Sequence, residues 1–237
     1  MTQQLTHRSN VYARNGVVAA SQPLAVSAGI EILRKGGSAV DAAIAMSAVL
    51  CVVEPGASHL GGDAFVITHK ASDRSNLAFN GSGEAPHAAN ASEFANGIDL
   101  HGYRSSTVPG LVSTWFAAHD EFGLLSMEEL LAPAIDYAEN GFPANNGFVR
   151  RIARHIKDFP DTPVFAQMKI PTNLSVGDIV IQRDLAHTLS AIAEKGRSAF
   201  YEGEIARALI ESSNSWFNAD DLAAHRTRVV RPLTVEY

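Results

Sequence analysis

GGSAVDAAIAMSAVLCVVEPGASHLGGDAF, residues 36–65, decides how the rest of this chain is read. Gly36-Gly37 ends one helix, and Ser38 with Asp41 three residues later forms the reciprocal capping pair that starts the next. From there to Val53 the residues are small and apolar on nearly every side. The spacing therefore predicts a helix buried against more than one neighbour. Pro55 stops it. Gly61-Gly62 then turns into residues 65–69 (FVITH), a β-branched strand, with residues 76–79 as its hairpin partner across a polar turn. The glycines of this turn are read as serving close packing, with Asp63 beside them and His59 at the rim.

Upstream, residues 1–15 read as a flexible lead-in, and residues 16–21 (GVVAAS) as a short buried strand. Pro23 opens a helix that closes on Arg34-Lys35, cations placed where the helix dipole favours them. Downstream of the hairpin comes NGSGEAPHAANAS (residues 80–92), a Gly/Ser/Pro/Asn-rich loop at a strand end, where binding groups commonly sit. Helices are predicted at 111–122, 126–140, 147–159, 183–195 and 202–212. A short capped helix is predicted within FNADDLAAH (217–225). Residues 160–181 read as irregular and Pro-punctuated. RVVRPLTVEY (228–237) alternates like a strand, with Pro232 marking an edge or bulge. Because no partner for that strand is visible, more protein is expected after Tyr237. The domain division is thus a lead-in at 1–15 and one partial domain at 16–237.

Composition narrows the function classes. The chain has 237 residues, 46% hydrophobic and 19% charged, with a formal net charge of −6. That balance argues against nucleic acid or an anionic membrane as partner, and the basic residues at 150–157 are read as a solvated helix face. The nine histidines show no zinc spacing, so no metal site is expected. Cys51 is the single cysteine, which rules out an intrachain disulfide and reads as a buried, inert thiol. The polar N-terminus lacks the apolar core of a signal peptide, and the longest apolar run is too short to span a bilayer, so a cytoplasmic protein is expected. Asp41 and Glu54, at opposite ends of one helix, are not an acid/base pair. Asp41 reads as a cap and Glu54 as a buried group paired across the core. Trp115-Phe116 and Phe200-Tyr201 read as core packing.

Seven stretches in order carry a resemblance to a known family: GGSAVDAA, VVEPGASHLGGDAF, GEAP, TVPGLV, LLAPAIDYAENGFP, GDIVIQRDLAHTLSAIAEKGRSAFYEGEIA and the terminal DLAAHRTRVVRPLTVEY. Together they resemble the γ-glutamyltranspeptidase family over nearly the whole chain. The resemblance implies an α+β fold, the four-layer αββα sandwich of the N-terminal nucleophile hydrolases, incomplete here because only the large-subunit part is present. It also implies a self-cleaving precursor whose small-subunit portion is the partner of this one. The new N-terminal threonine of that portion attacks an amide, with its own α-amine as base. An oxyanion hole then supports acyl transfer to water or to an amine, and the resemblance implies that no cofactor or metal is required.

Two departures from the family pattern follow. The Thr-Thr-His type motif of the nucleophile is absent, so no catalytic residue is assigned within this chain, which alone is expected to be inactive. Thr68-His69 lies inside a predicted strand, and Thr2 lies in the polar lead-in. In glutamate-specific members the loop resembles Asp-Gly-Arg-Glu-x-Ala-Pro, and its arginine grips the donor's α-carboxylate. Aligned on Ala85-Pro86, Ser82 stands in place of that arginine, and Glu84 adds a negative charge. Ser82, Gly83 and Glu84 are therefore the candidate substrate-binding residues, with a small-molecule amide that is not γ-glutamyl as the favoured donor. Two alternatives stand beside this reading: a true γ-glutamyl enzyme whose clamp comes from elsewhere, with Arg104 as a candidate, and a non-catalytic relative serving as a binding or structural module.

Overall fold

The computed structural model describes residues 10–160 and 164–235. Thr2 and most of the lead-in lie outside the described residues, as does Tyr237. Helix α1 (Pro23–Arg34) starts with proline in its first turn, and the Gln22 side chain caps the Leu24 N–H. Gly36, at φ +92°, releases the chain from α1 into Ser38. Helix α2 (Ala39–Val53) carries the predicted capping box. Asp41, fully buried, accepts through Oδ2 from the Ser38 N–H at 2.8 Å, and Ser38 Oγ accepts from the Asp41 N–H at 3.0 Å. Asp41 also accepts from the Leu124 N–H at 3.0 Å, which ties the start of α2 to a connection 83 residues away.

Ten of the fifteen α2 residues are buried, leaving only a narrow outer stripe at Ala39 and Ala43. It packs against α1, α3 (Leu111–Phe122) and α4 (Met127–Asn140). Alanines at 42, 45 and 48 let those neighbours approach closely, while Ile44, Val49, Val52 and Val53 supply the apolar area. Burying each of the larger side chains contributes roughly 1.5–3 kcal/mol. Trp115 of α3 is also buried, and its indole N–H donates to Ser47 Oγ at 3.0 Å, so that the aromatic belongs to the core. Cys51 is buried, and burial pushes its thiol up to about 12.

The fold is α+β. Strands β1 (Ala64–Lys70) and β2 (Ser75–Gly81) form the expected antiparallel hairpin, each slightly longer than its sequence pattern implies. Strand β5 (Arg228–Val230) adds to the other edge of β2, with Phe79 opposite Val229 and Asn80 opposite Arg228. The terminal strand thus has a partner, contrary to expectation, because β2 offers it a free edge. One face of this sheet, centred on Phe79 and Val66, packs on α3. The opposite face carries a bare apolar patch: Phe65 is 69% exposed and Ile67 74%, with Val230 in register with Ile67 through Ala78, while Asn80 and Arg228 lie in register with Phe65.

Four further differences from the sequence reading have local causes. Residues 16–21 form no strand. No sheet edge lies beside them to pair their backbone, so Val17 stays exposed while Val18 rests against Gly29 of α1. Glu54 is not paired across the core; it caps the C-terminus of α2 near the surface and accepts from Ser21 Oγ at 2.7 Å. The helix predicted at 202–212 begins at Glu204 as α9 (Glu204–Ser212), after a separate short α8 (Arg197–Tyr201), and Gly203 lies so close to the Ala199 backbone that a β-carbon there would press on it. Within 160–181 lie a short helix, α6 (Val164–Gln167), and a strand, β4 (Ile179–Val180), which pairs with β3 (Phe142–Pro143). Helix α5 (Asn146–Asp158) separates β3 from α6. Helix α7 (Arg183–Lys195) spans the predicted range and packs on α4. Helix α10 (Ala219–Ala224) has the predicted cap at Asn218.

Candidate functional site

Where β2 ends, three backbone segments meet at distances only glycine permits. A β-carbon on Gly81 would overlap Thr114 Oγ1, one on Gly110 would overlap the Gly81 carbonyl, and one on Gly83 would overlap the Val108 carbonyl. The strand therefore continues as residues 82–84 flush against residues 107–110 and the first turn of α3. The Gly61-Gly62-Asp63 turn holds this junction from below. The Gly62 carbonyl accepts from the N–H groups of Gly110 (2.9 Å) and Leu111 (2.8 Å), satisfying donors at the start of α3 that have no partner within the helix. Asp63 Oδ1 accepts from the Gly83 N–H at 3.2 Å. The structural reading of that glycine turn is what the geometry supports.

Of the candidate residues, Ser82 is half-buried, and its N–H donates to Asn80 Oδ1 at 3.0 Å. Gly83 is also half-buried, its N–H committed to Asp63. The Glu84 carbonyl accepts from the Val108 N–H at 3.0 Å, and its side chain reaches outward, 61% exposed. One carboxylate oxygen, Oε2, accepts from His225 Nδ1 at 2.7 Å. That hydrogen bond, with help from the Arg228 charge and against a smaller opposing effect of burial, holds the Glu84 carboxyl below the usual range. Glu84 is thus a fixed anion at the loop, where sequence alone gave only a nearby charge.

His225 was not among the residues singled out from sequence. Its side chain is completely buried and stacks on Tyr201 with ring centroids 5.8 Å apart. Tyr201 in turn donates from its hydroxyl to the Pro109 carbonyl at 2.7 Å and accepts from the Ser113 N–H at 3.0 Å. Burial raises the Tyr201 hydroxyl well above its ordinary value, so it is a neutral bridge. The Arg197 guanidinium lies 4.3 Å from the Tyr201 ring centroid and also donates to the His225 carbonyl. Thr227 completes the junction. Its N–H and its hydroxyl both reach Ser113 Oγ at 3.0 Å. On the other side of the loop, His87 donates to Asp221 from its backbone N–H (3.0 Å) and from its ring.

Arg104, the candidate clamp from another position, is committed elsewhere. It donates to Glu93 Oε2 at 2.6 Å and sits 5.3 Å from the centre of the Phe94 ring. A cleft of about 650 Å³, lined among others by Lys169, Ile179, Gln182, Arg183 and Asp184, shares no residue with the 80–87 loop. Among the described residues, no group of three or more His, Cys, Asp or Glu is placed to hold a metal ion. Likewise, no helix among them is long and apolar enough to cross a membrane.

The comparisons with known proteins agree in direction. A family model described as gamma-glutamyltranspeptidase matches residues 25–237. The glutathione hydrolase-like YwrD proenzyme of Bacillus subtilis is 38% identical over 239 residues, covering 96% of this chain and 45% of that protein. The crystal structure of Helicobacter pylori gamma-glutamyltranspeptidase superposes with a TM-score of 0.90 at 28% identity, covering 97% of this chain and 69% of that one. The cephalosporin acylase from Bacillus halodurans gives a TM-score of 0.89 at 33% identity, covering 99% of this chain and 47% of that one. The chain spans less than half the length of the curated relatives it matches.

Proposed function

This chain belongs to the γ-glutamyltranspeptidase family, and we propose that it is the large-subunit portion of a self-processing amidohydrolase or acyltransferase. The observation that carries this reading is the half-built sheet. One face of β1-β2 packs on α3, while the other presents Phe65 and Ile67, with Val230 of β5, and nothing among the described residues covers them. An exposed apolar patch of this kind on a sheet calls for a second layer. The small-subunit portion of the same precursor supplies that layer, together with the nucleophilic threonine and its amine. Relatives named as proenzymes support a precursor that is cut. Within the described residues Thr68 is no substitute, because it sits inside β1 opposite Leu77 and has no free amine.

The reaction is attack of the threonine hydroxyl on an amide carbonyl, release of the amine, and transfer of the acyl group to water or an amine acceptor. Ser82, Gly83 and Glu84 face the acyl side of that reaction. Ser82 is too short to grip a carboxylate as a guanidinium does, and the ionised Glu84 repels one. The favoured donor is therefore an amide whose acyl group carries no carboxylate at this position. The likeness to a structure named as a cephalosporin acylase supports a scaffold whose members are not confined to one acyl donor.

The test is to express the complete reading frame and follow it by mass spectrometry and assay. Cleavage into two chains, the second beginning with threonine, is expected, with faster hydrolysis of neutral N-acyl amides than of γ-glutamyl-p-nitroanilide. An intact, uncut product inactive on every amide would make the protein a binding or structural module. Rapid release of glutamate would instead restore the γ-glutamyl donor.

A further inference from the structure

Two acid–imidazole pairs of opposite sense join the 82–87 loop to the segment around α10. In the first the loop contributes the acid, Glu84, and the anchor contributes the imidazole, His225. In the second the loop contributes the imidazole, His87, and the anchor contributes the acid, Asp221. In both, the anchor member is buried and the loop member is open: the His225 side chain is 0% exposed against 61% for Glu84, and Asp221 is 2% against 79% for His87. A buried side chain has one conformation available, so the direction of control runs from anchor to loop.

The anchor is itself over-determined. Asp221 uses its second oxygen to accept from the Asn218 N–H at 3.0 Å in the α10 capping box. Trp216 donates to the Ser106 carbonyl at 2.9 Å, and His225 is held between Tyr201 and the Arg197 donor. The loop is not. Between residues 85 and 89, its hydrogen bonds to the rest of the molecule, among the described residues, are those of His87 to Asp221. His225 Nε2 is buried without a partner, so among the described residues Glu84 makes the ring's single side-chain hydrogen bond.

With the 82–84 backbone already held on Asp63 and Val108, we infer that Asp221 and His225 set the position of residues 85–87 and of the Glu84 side chain, and that Asp221, His225, His87 and Glu84 are positioning residues for the acyl donor. The inference rests on the reading of that loop as the donor side. A displaced loop weakens donor binding while leaving the chemistry on the threonine intact, so the effect falls on KM before kcat.

The experiment uses the processed full-length protein and substitutes the exposed members, which spare the core: His87→Ala, Glu84→Ala and Glu84→Gln. Hydrogen exchange of the peptide covering residues 82–90 is expected to accelerate about tenfold in each alanine variant, as a local opening would require. With a neutral N-acyl amide as donor, KM is expected to rise about tenfold with kcat within about threefold. Glu84→Gln keeps an oxygen to accept from His225 and is expected to recover most of both losses. Unchanged exchange in both alanine variants overturns the anchor, and accelerated exchange with unchanged KM overturns its positioning role. A protein that cleaves no amide would overturn the proposed function instead, while exchange still decides the anchor.

Discussion

The α1–α2 pair and the junction around residues 80–87 are built on opposite principles. Around α2 the contacts are apolar, small-sided and mutually redundant, with one buried carboxylate, Asp41, spent on capping and on the Leu124 N–H. At the junction the contacts are polar and made by specific pairs, among them Gly83 on Asp63, Glu84 on His225 and His87 on Asp221. Apolar packing tolerates a lost contact in proportion to the volume removed. A polar junction loses a defined geometry with each partner. The lesson is that stability and placement are separable here: the helices hold the molecule together, and the junction decides where a strand-end loop sits.

The sharpest way to break the comparison is to damage the apolar side. Ile44→Ala in α2, at a site 3% exposed, is expected to destabilise by about 3 kcal/mol, read as a lowered denaturation midpoint. Hydrogen exchange across the 82–90 peptide should stay at the wild-type level under native conditions. Asp41→Ala removes the cap and leaves the Leu124 N–H without its acceptor, for a combined loss of about 2 kcal/mol in the same measurement. If it cost nothing, the capping box would be ornamental.

Substitution on the polar side should do the reverse. Glu84→Ala is expected to move the midpoint by less than about 1 kcal/mol, because the carboxylate is mostly exposed. Its effect belongs to loop exchange and donor KM. The pH dependence has a definite sign. His225 and Arg228 depress the Glu84 pKa in the folded protein, so its contribution is present above the ordinary carboxylate pKa of about 4.3. That contribution is lost as pH falls through the depressed value. The difference in loop exchange between wild type and Glu84→Ala should therefore persist down to about pH 4 and close below it. The smallest expected effect is none at all. Cys51, raised to about 12 by burial, should resist thiol alkylation at pH 8 until the protein unfolds, and fast labelling of the native protein would contradict its placement in the core.

Much of the helical framework was legible from local pattern. The capping boxes at Ser38–Asp41, Ser126–Glu129 and the Asn218 cap are visible as residue pairs three apart. The bounds of α7 follow from apolar periodicity closed by Lys195-Gly196. The same local logic failed at residues 16–21, where a β-branched run found no strand to pair with, and at Gly203, where close contact with Ala199 divides two helices. Candidate residues Ser82, Gly83 and Glu84 came from a resemblance, and their surroundings did not come from sequence at all.

Sequence by itself determined what depends on neighbours within a turn or two: where helices start and stop, which faces are apolar, and which hairpin forms. Tertiary structure alone decided that Glu84 meets His225 across 141 positions and that His87 meets Asp221 across 134. The physical reason is the range of the forces involved. Caps and periodicities act along the chain, whereas a hydrogen bond between distant side chains exists only after packing has brought their backbones together, and no spacing in the sequence encodes it.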